Sequence, residues 1–214
     1  MDDASLIRYR LDAAATTAVA TAVLALLAVR YHGVTGPDRW DLLVDAAVVS
    51  AAGAWSDALR PTILVLGPVG TTGICALLAL VAAARRMWRC VALATAGPVA
   101  CGAAVLLLQP AIGRTLNGGD ALPSGHTTAA VCTAMVVLLV GPRLAGRRVP
   151  RVAGAPVVVA VTVIMGTTLI TNGLHVPSDI LAGAVAGVAG VLSTAFLIDR
   201  IAERQHAKGP RISD

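Results

Sequence analysis

The chain has 214 residues, of which 57% are hydrophobic and only 14% charged, and its mean hydropathy is +0.78. So little charge over this length excludes a soluble domain and describes a chain with repeated membrane spans. The basic excess, 17 Lys and Arg against 12 Asp and Glu, reports orientation in such a chain and not contact with nucleic acid.

Taken in chain order, six apolar runs are expected to span, at about 12–29, 61–84, 90–112, 126–141, 153–172 and 179–198. They predict an all-α, six-span transmembrane helical bundle forming a single membrane domain over 1–214. The first run passes straight into Arg30 and Tyr31 without a small-residue cleavage site, so it is expected to remain as an anchor. Between the first two runs, "WDLLVDAAVVSAAGAW" is apolar, bracketed by Trp40 and Trp55 and spaced by Asp41 and Asp45. That pattern predicts one or two short helices lying in the membrane interface, with Trp40, Trp55 and Trp88 as interface markers. Pro68 and Pro98 are expected to kink their spans. Cys75, Cys90, Cys101 and Cys132 show no Cys-x-x-Cys spacing and read as small buried hydrophobes, which argues against zinc or redox chemistry. In the last run, Gly183, Gly187 and Gly190 carry the small-residue spacing that permits close helix contact.

With the N-terminus inside, thirteen of the 17 basic residues fall on the inner side, and only Arg30, Arg39, Arg60 and Arg114 fall outside. The expectation is a multi-pass protein of the cell membrane with both termini cytoplasmic. The basic tail, 199–214, reads equally as a contact for anionic lipid or as solvated chain.

On this topology "QPAIGRTLNGGDALPSGH" and "TNGLHVPSD" share the outer face and bring His126 and His175 to one depth, whereas His32 and His206 look incidental. Pro123 and Gly125 shape a turn with free backbone N–H groups, Ser124 adds a hydroxyl, and the helix that follows presents its positive end. Phosphate suits such a cradle, although Ser124 equally fits a plain helix N-cap. Asp179, four residues after His175, is spaced to hold one ring nitrogen and leave the other as nucleophile or base, with His126 as proton donor.

"PSGH" followed some fifty residues later by "GLHVPSDILAG" resembles two signature motifs of the type 2 phosphatidic acid phosphatase (PAP2) superfamily, in its membrane branch. The resemblance implies a lipid phosphatase in which His175 attacks phosphorus, Asp179 orients it, His126 acts as acid, and Ser124, Gly125 and Arg114 hold the phosphate. It implies no metal or cofactor. The chain departs from the family pattern at Leu107, where a lysine is expected, at Thr115 in place of proline, and at Thr168-Leu169 in place of Ser-Arg. Two expected cations are therefore absent, and Arg60, beside Pro61 on the outer side, is the candidate substitute. A lipid phosphate or diphosphate, polyprenyl or phosphatidate-like, is the expected substrate. Two alternatives stand beside the phosphatase: a degenerate relative that binds or transports a lipid phosphate without turnover, and an intramembrane serine hydrolase built on Ser124 and His175.

Overall fold

A computed structural model describes residues 5–147 and 154–207. The described residues are mostly helix: α1 (Arg10–Arg30), α2 (Arg39–Ala52), a 3-10 turn (Gly53–Trp55), α3 (Ser56–Leu59), α4 (Pro61–Leu66), α5 (Pro68–Ala84), α6 (Trp88–Ile112), α7 (Gly125–Leu144), α8 (Gly154–Thr171) and α9 (Pro177–Ala207). The one small sheet among them pairs β1 (Thr115–Leu116) with β2 (Gly119–Asp120) around Asn117 and Gly118. Both turn residues have positive φ, 51° and 82°, the twist that suits a two-residue hairpin and favours Asn-Gly.

Six described helical segments are long and apolar enough to cross a membrane: α1, 39–59, α6, α7, α8 and α9. The chain is an all-α, multi-pass membrane bundle. Membership of the six differs from the sequence reading in one place. The expected run 61–84 is broken at Gly67, whose extended backbone (φ −76°, ψ −171°) ends α4, and Pro68 then starts α5 as its first residue. A residue before proline is pushed out of the helical region, so the Gly-Pro pair stops the helix where a bend had been expected. Pro98, by contrast, lies within an unbroken α6. The 39–59 stretch reaches spanning length, yet its two ends meet the same end of the bundle. Asp41 accepts from Ser178 at the start of α9, and Thr62 bonds Thr168 near the end of α8 at 2.9 Å. The chain therefore enters and leaves this stretch at one end of the bundle, and the passage back to the other end falls to α5, a shorter apolar helix that runs from Gly67 beside His126 to Arg85, which bonds the Leu144 carbonyl. Trp40, Trp55 and Trp88 are all exposed.

The glycines of α9 explain how the bundle closes. A Cβ on Gly183 would stand 2.6 Å from the Ser124 carbonyl oxygen, and one on Gly187 would stand 3.0 Å from that of Thr128. At Gly190 the obstacle would be the Cys101 sulfur, 2.7 Å away on α6. Bare backbone thus lets α9 settle against α7 and α6 at distances no side chain allows. All four cysteines are buried free thiols in or beside this packing.

The opposite end is closed by the chain before α1. Leu6 N and Ile7 N donate to the Asp199 carboxylate at 2.9 and 3.0 Å, Ser5 Oγ bonds it at 2.6 Å, and Arg89 pairs with it at 3.2 Å. Arg143 Nη2 donates to the Ser5 and Leu6 carbonyls, and Leu6 and Ile7 are buried in the main apolar cluster. α9 extends past the expected end of its span, so the part of the basic tail up to Ala207 is helical, while Lys208 and Arg211 lie outside the described residues, as do Arg148 and Arg151.

Gly183→Ala tests the close approach. The added methyl meets backbone, which cannot swing aside, so a loss of about 1–3 kcal/mol is expected, read as a lower Tm in detergent; Ala at Gly173, where nothing lies within 4 Å but φ is +65°, reports backbone strain alone.

Candidate active site

The site forms where the α7 start, the α8–α9 connection and α2 converge. Ser124 is the N-cap of α7: its Oγ accepts from Thr127 N at 3.3 Å, and its own backbone N donates to the Asp179 carbonyl at 3.0 Å. That second bond, across from α9, registers the two loops that carry the histidines. The ring centroids of His126 and His175 are 6.4 Å apart with the planes inclined by 62°. His126 reaches this position through the break at Gly67, where a Cβ would stand 3.1 Å from His126 Cδ2 and only 2.1 Å from the Ile63 carbonyl oxygen. No side chain fits there.

His175 Nδ1 lies 3.5 Å from Asp179 Oδ2, an ion-pair distance, with the Asp179 carboxyl fully buried and the His175 side chain 13% exposed. Asp179 Oδ2 also accepts from Val176 N at 3.4 Å. Its other oxygen, Oδ1, lies 3.2 Å from Arg114 Nη1. The imidazole thus turns Nδ1 toward a carboxylate at ion-pair distance, without a formed hydrogen bond, an orientation that leaves Nε2 as the nitrogen for a nucleophile or base.

Arg114 departs most from its expected place. Expected to face phosphate, it is fully buried, and its fork is engaged inside the protein. Nη2 donates to Asp41 Oδ2 at 2.7 Å and to the Gly36 carbonyl at 3.3 Å, while Nη1 bonds Ser178 Oγ as well as facing Asp179. Tyr31 covers the guanidinium, its ring centroid 4.2 Å from Cζ. Tyr31 in turn donates to Asp38 at 3.0 Å. Burial and this bond raise the Tyr31 phenol above its usual value, and the Asp41 backbone N–H holds Asp38 below the usual carboxylate range.

Asp41 is the buried member of this cluster that the sequence reading treated as a spacer. It is fully buried, takes Ser178 N and Oγ at 2.9 Å each besides Arg114, and closes a capping box with Asp38 at the start of α2. The available signals were the Asp-x-x-Asp spacing at a helix start and an acid within an apolar stretch.

The remaining expected residues divide. Gly125 stands at the first turn of α7, next to His126. Ser124 is fully buried with its hydroxyl turned to Thr127, and no hydrogen bond joins it to either histidine among the described residues. Arg60 is exposed at the start of α4, and no described hydrogen bond or ion pair ties it to the site. Leu169, at the position of the family arginine, is fully buried among Ala130, Met165, Ile170 and Ile180. Thr168, its neighbour, is occupied with Thr62.

Fold and site together define an integral membrane protein with a histidine–aspartate pair and a second histidine at one end of a helical bundle. A PAP2 superfamily model matches residues 42–202, and the chain belongs to that superfamily. Membership supports a phosphatase-type enzyme. No curated protein and no solved structure matches the chain.

Removing Arg114 leaves two facing carboxylates buried without their cation. Arg114→Ala is therefore expected to cost about 3–5 kcal/mol, seen as a Tm fall in detergent well beyond that of Arg60→Ala, whose side chain is exposed.

Proposed function

We propose that this protein is a membrane phosphatase that hydrolyses the phosphate or diphosphate ester of a lipid through a phosphohistidine on His175. The observation that carries this reading is the convergence of His126, His175 and Asp179 at one end of the bundle. The 6.4 Å between the rings lets one phosphoryl group approach both, each reacting nitrogen within a near-attack distance of about 3–3.5 Å. His175 Nε2 attacks phosphorus as the bond to the leaving oxygen breaks, and His126 gives that oxygen its proton. Water then attacks the phosphorus of the phosphohistidine, His126 takes a proton from it, and the P–N bond breaks to release phosphate and the free imidazole.

A lipid substrate is supported by a groove of about 320 Å³ between α5, α6 and α7, whose lining includes Pro68, Val105 and Gly125 near the site and Pro98, Cys101 and Cys132 deeper in. With Arg114 engaged elsewhere, the phosphate charge falls to the α7 N-terminus at Gly125 and to Arg60, on the short helix that ends at Gly67 against His126. We place the site at the extracytoplasmic face and both termini in the cytoplasm, where Arg200 and Arg204 on α9 face anionic lipid. The engagement of Arg114 by carboxylates favours a second reading, a relative that binds a lipid phosphate without turnover.

Phosphate release by the purified protein from a panel of lipid phosphates and diphosphates, with and without orthovanadate, decides between them. Release that orthovanadate suppresses and His175→Ala abolishes is expected, with His126→Ala sparing good leaving groups more than poor ones. Binding of lipid phosphate without any release selects the second reading.

The placement has its own test. Cysteines at Gly118 and at Leu174, which is exposed in the same loop as His175, should react with an impermeant reagent from outside the cell and one at Ala145 should not; the reverse pattern puts the site on the cytoplasmic face.

A further inference from the structure

Arg114 has no surface to offer a ligand. It is fully buried, both terminal nitrogens are committed, and Nε is enclosed. What it does touch is the residue that faces His175, and the contact is divided in a particular way. Asp41 and the Gly36 carbonyl take Nη2, so only Nη1 is left for Asp179, and it lies against Oδ1 alone. Oδ2 of the same carboxylate stays turned to His175 Nδ1. An arginine beside a carboxylate ordinarily closes a two-bond fork over both oxygens. Asp41 prevents that here by holding the second prong.

We infer that Asp41 is a positioning residue: by clamping Arg114 it keeps Arg114 off the substrate and keeps one oxygen of Asp179 free to orient His175. Asp41 lies just before the stretch matched by the family model, which begins at 42. Ser178 completes the device. Its Oγ lies between Asp41 Oδ2 and Arg114 Nη1, and its backbone N binds Asp41 Oδ1. Neutralising Asp41 releases Nη2 to Asp179 Oδ2, and His175 loses its partner. The loss falls on the chemical step, since Asp41, Arg114 and Ser178 are all fully buried.

This inference rests on the phosphatase reading for its kinetics but has a binding arm of its own. Asp41→Asn, Arg114→Lys and Ser178→Ala are compared with the wild type in steady-state turnover of a lipid phosphate and in equilibrium binding of orthovanadate. In each variant kcat is expected to fall, by about 10- to 100-fold for Asp41→Asn and Arg114→Lys, as when a group orienting a functional histidine is lost, with KM and orthovanadate affinity within about threefold of wild type. Ser178→Ala keeps every charge and nearly the full volume, so it reports on the network if the other two variants fail to fold. A rise in KM and a matching loss of orthovanadate affinity in Arg114→Lys would make Arg114 a phosphate contact and overturn the inference. So would unchanged kcat in folded Asp41→Asn or, if that variant does not fold, in Ser178→Ala. Orthovanadate binding by a wild type that turns over no lipid phosphate overturns the phosphatase reading alone, and the affinities then decide the role of Arg114. Failure of the wild type to bind orthovanadate overturns both.

Discussion

A guanidinium taken wholly out of water has to be answered by charge, and at Arg114 two carboxylates from distant parts of the chain answer it. Asp41 comes from α2, Asp179 from the first turn of α9, and Arg114 itself from the loop after α6. Stranding any one of them would leave a buried charge uncompensated, so the three elements are obliged to meet at one place. Tyr31 at the end of α1 is drawn to the same point through the guanidinium face. The stretch between the first and second expected spans, which looks least constrained in the sequence, is thereby fixed over the site.

The histidines are placed by a different constraint, the approach of backbone to backbone. Gly183 lets the start of α9 lie on the cap of α7, and Gly67 lets α4 end against His126. Both approaches depend on the absence of a side chain. The missing family cations fit this arrangement. Leu169 is sealed in an apolar cluster with Ile180, close under the loop that carries His175, and packing there takes the place of charge. If each absent charge-assisted contact is worth about 1.5–3 kcal/mol, two leave a transition state higher by about 3–6 kcal/mol, roughly 10² to 10⁴ in rate, unless other donors serve.

Much of the bundle was legible because apolar run length and motif spacing are signals along the chain. His126, His175 and Asp179 needed only the order of spans to be placed together. Arg114 was legible as a charge but not in its direction, since nothing local says whether a guanidinium faces a ligand or a carboxylate some seventy residues upstream. Asp41 was hidden for the same reason: an acid at the third position of a capped helix has an ordinary local role, and its partners appear only once α2 lies over α9. The break at Gly67 was readable from Gly-Pro, but the apolar run on either side outweighed it. The Asn117-Gly118 hairpin was likewise present in the sequence and passed over because the loop has so few residues to pair.

The Asp199 clamp bears on how such a chain comes to be assembled. Leu6 and Ile7 are made more than 190 residues before the carboxylate that their N–H groups bind, so during vectorial synthesis they emerge with no partner. The main apolar cluster, which they enter together with Val191 and Ala195 of α9, cannot be completed by any intermediate that lacks that helix. Earlier spans can insert one by one, but the seal at this end is applied late. Ribosome-bound intermediates without α9 should therefore leave Leu6 and Ile7, buried in the finished protein, open to proteases.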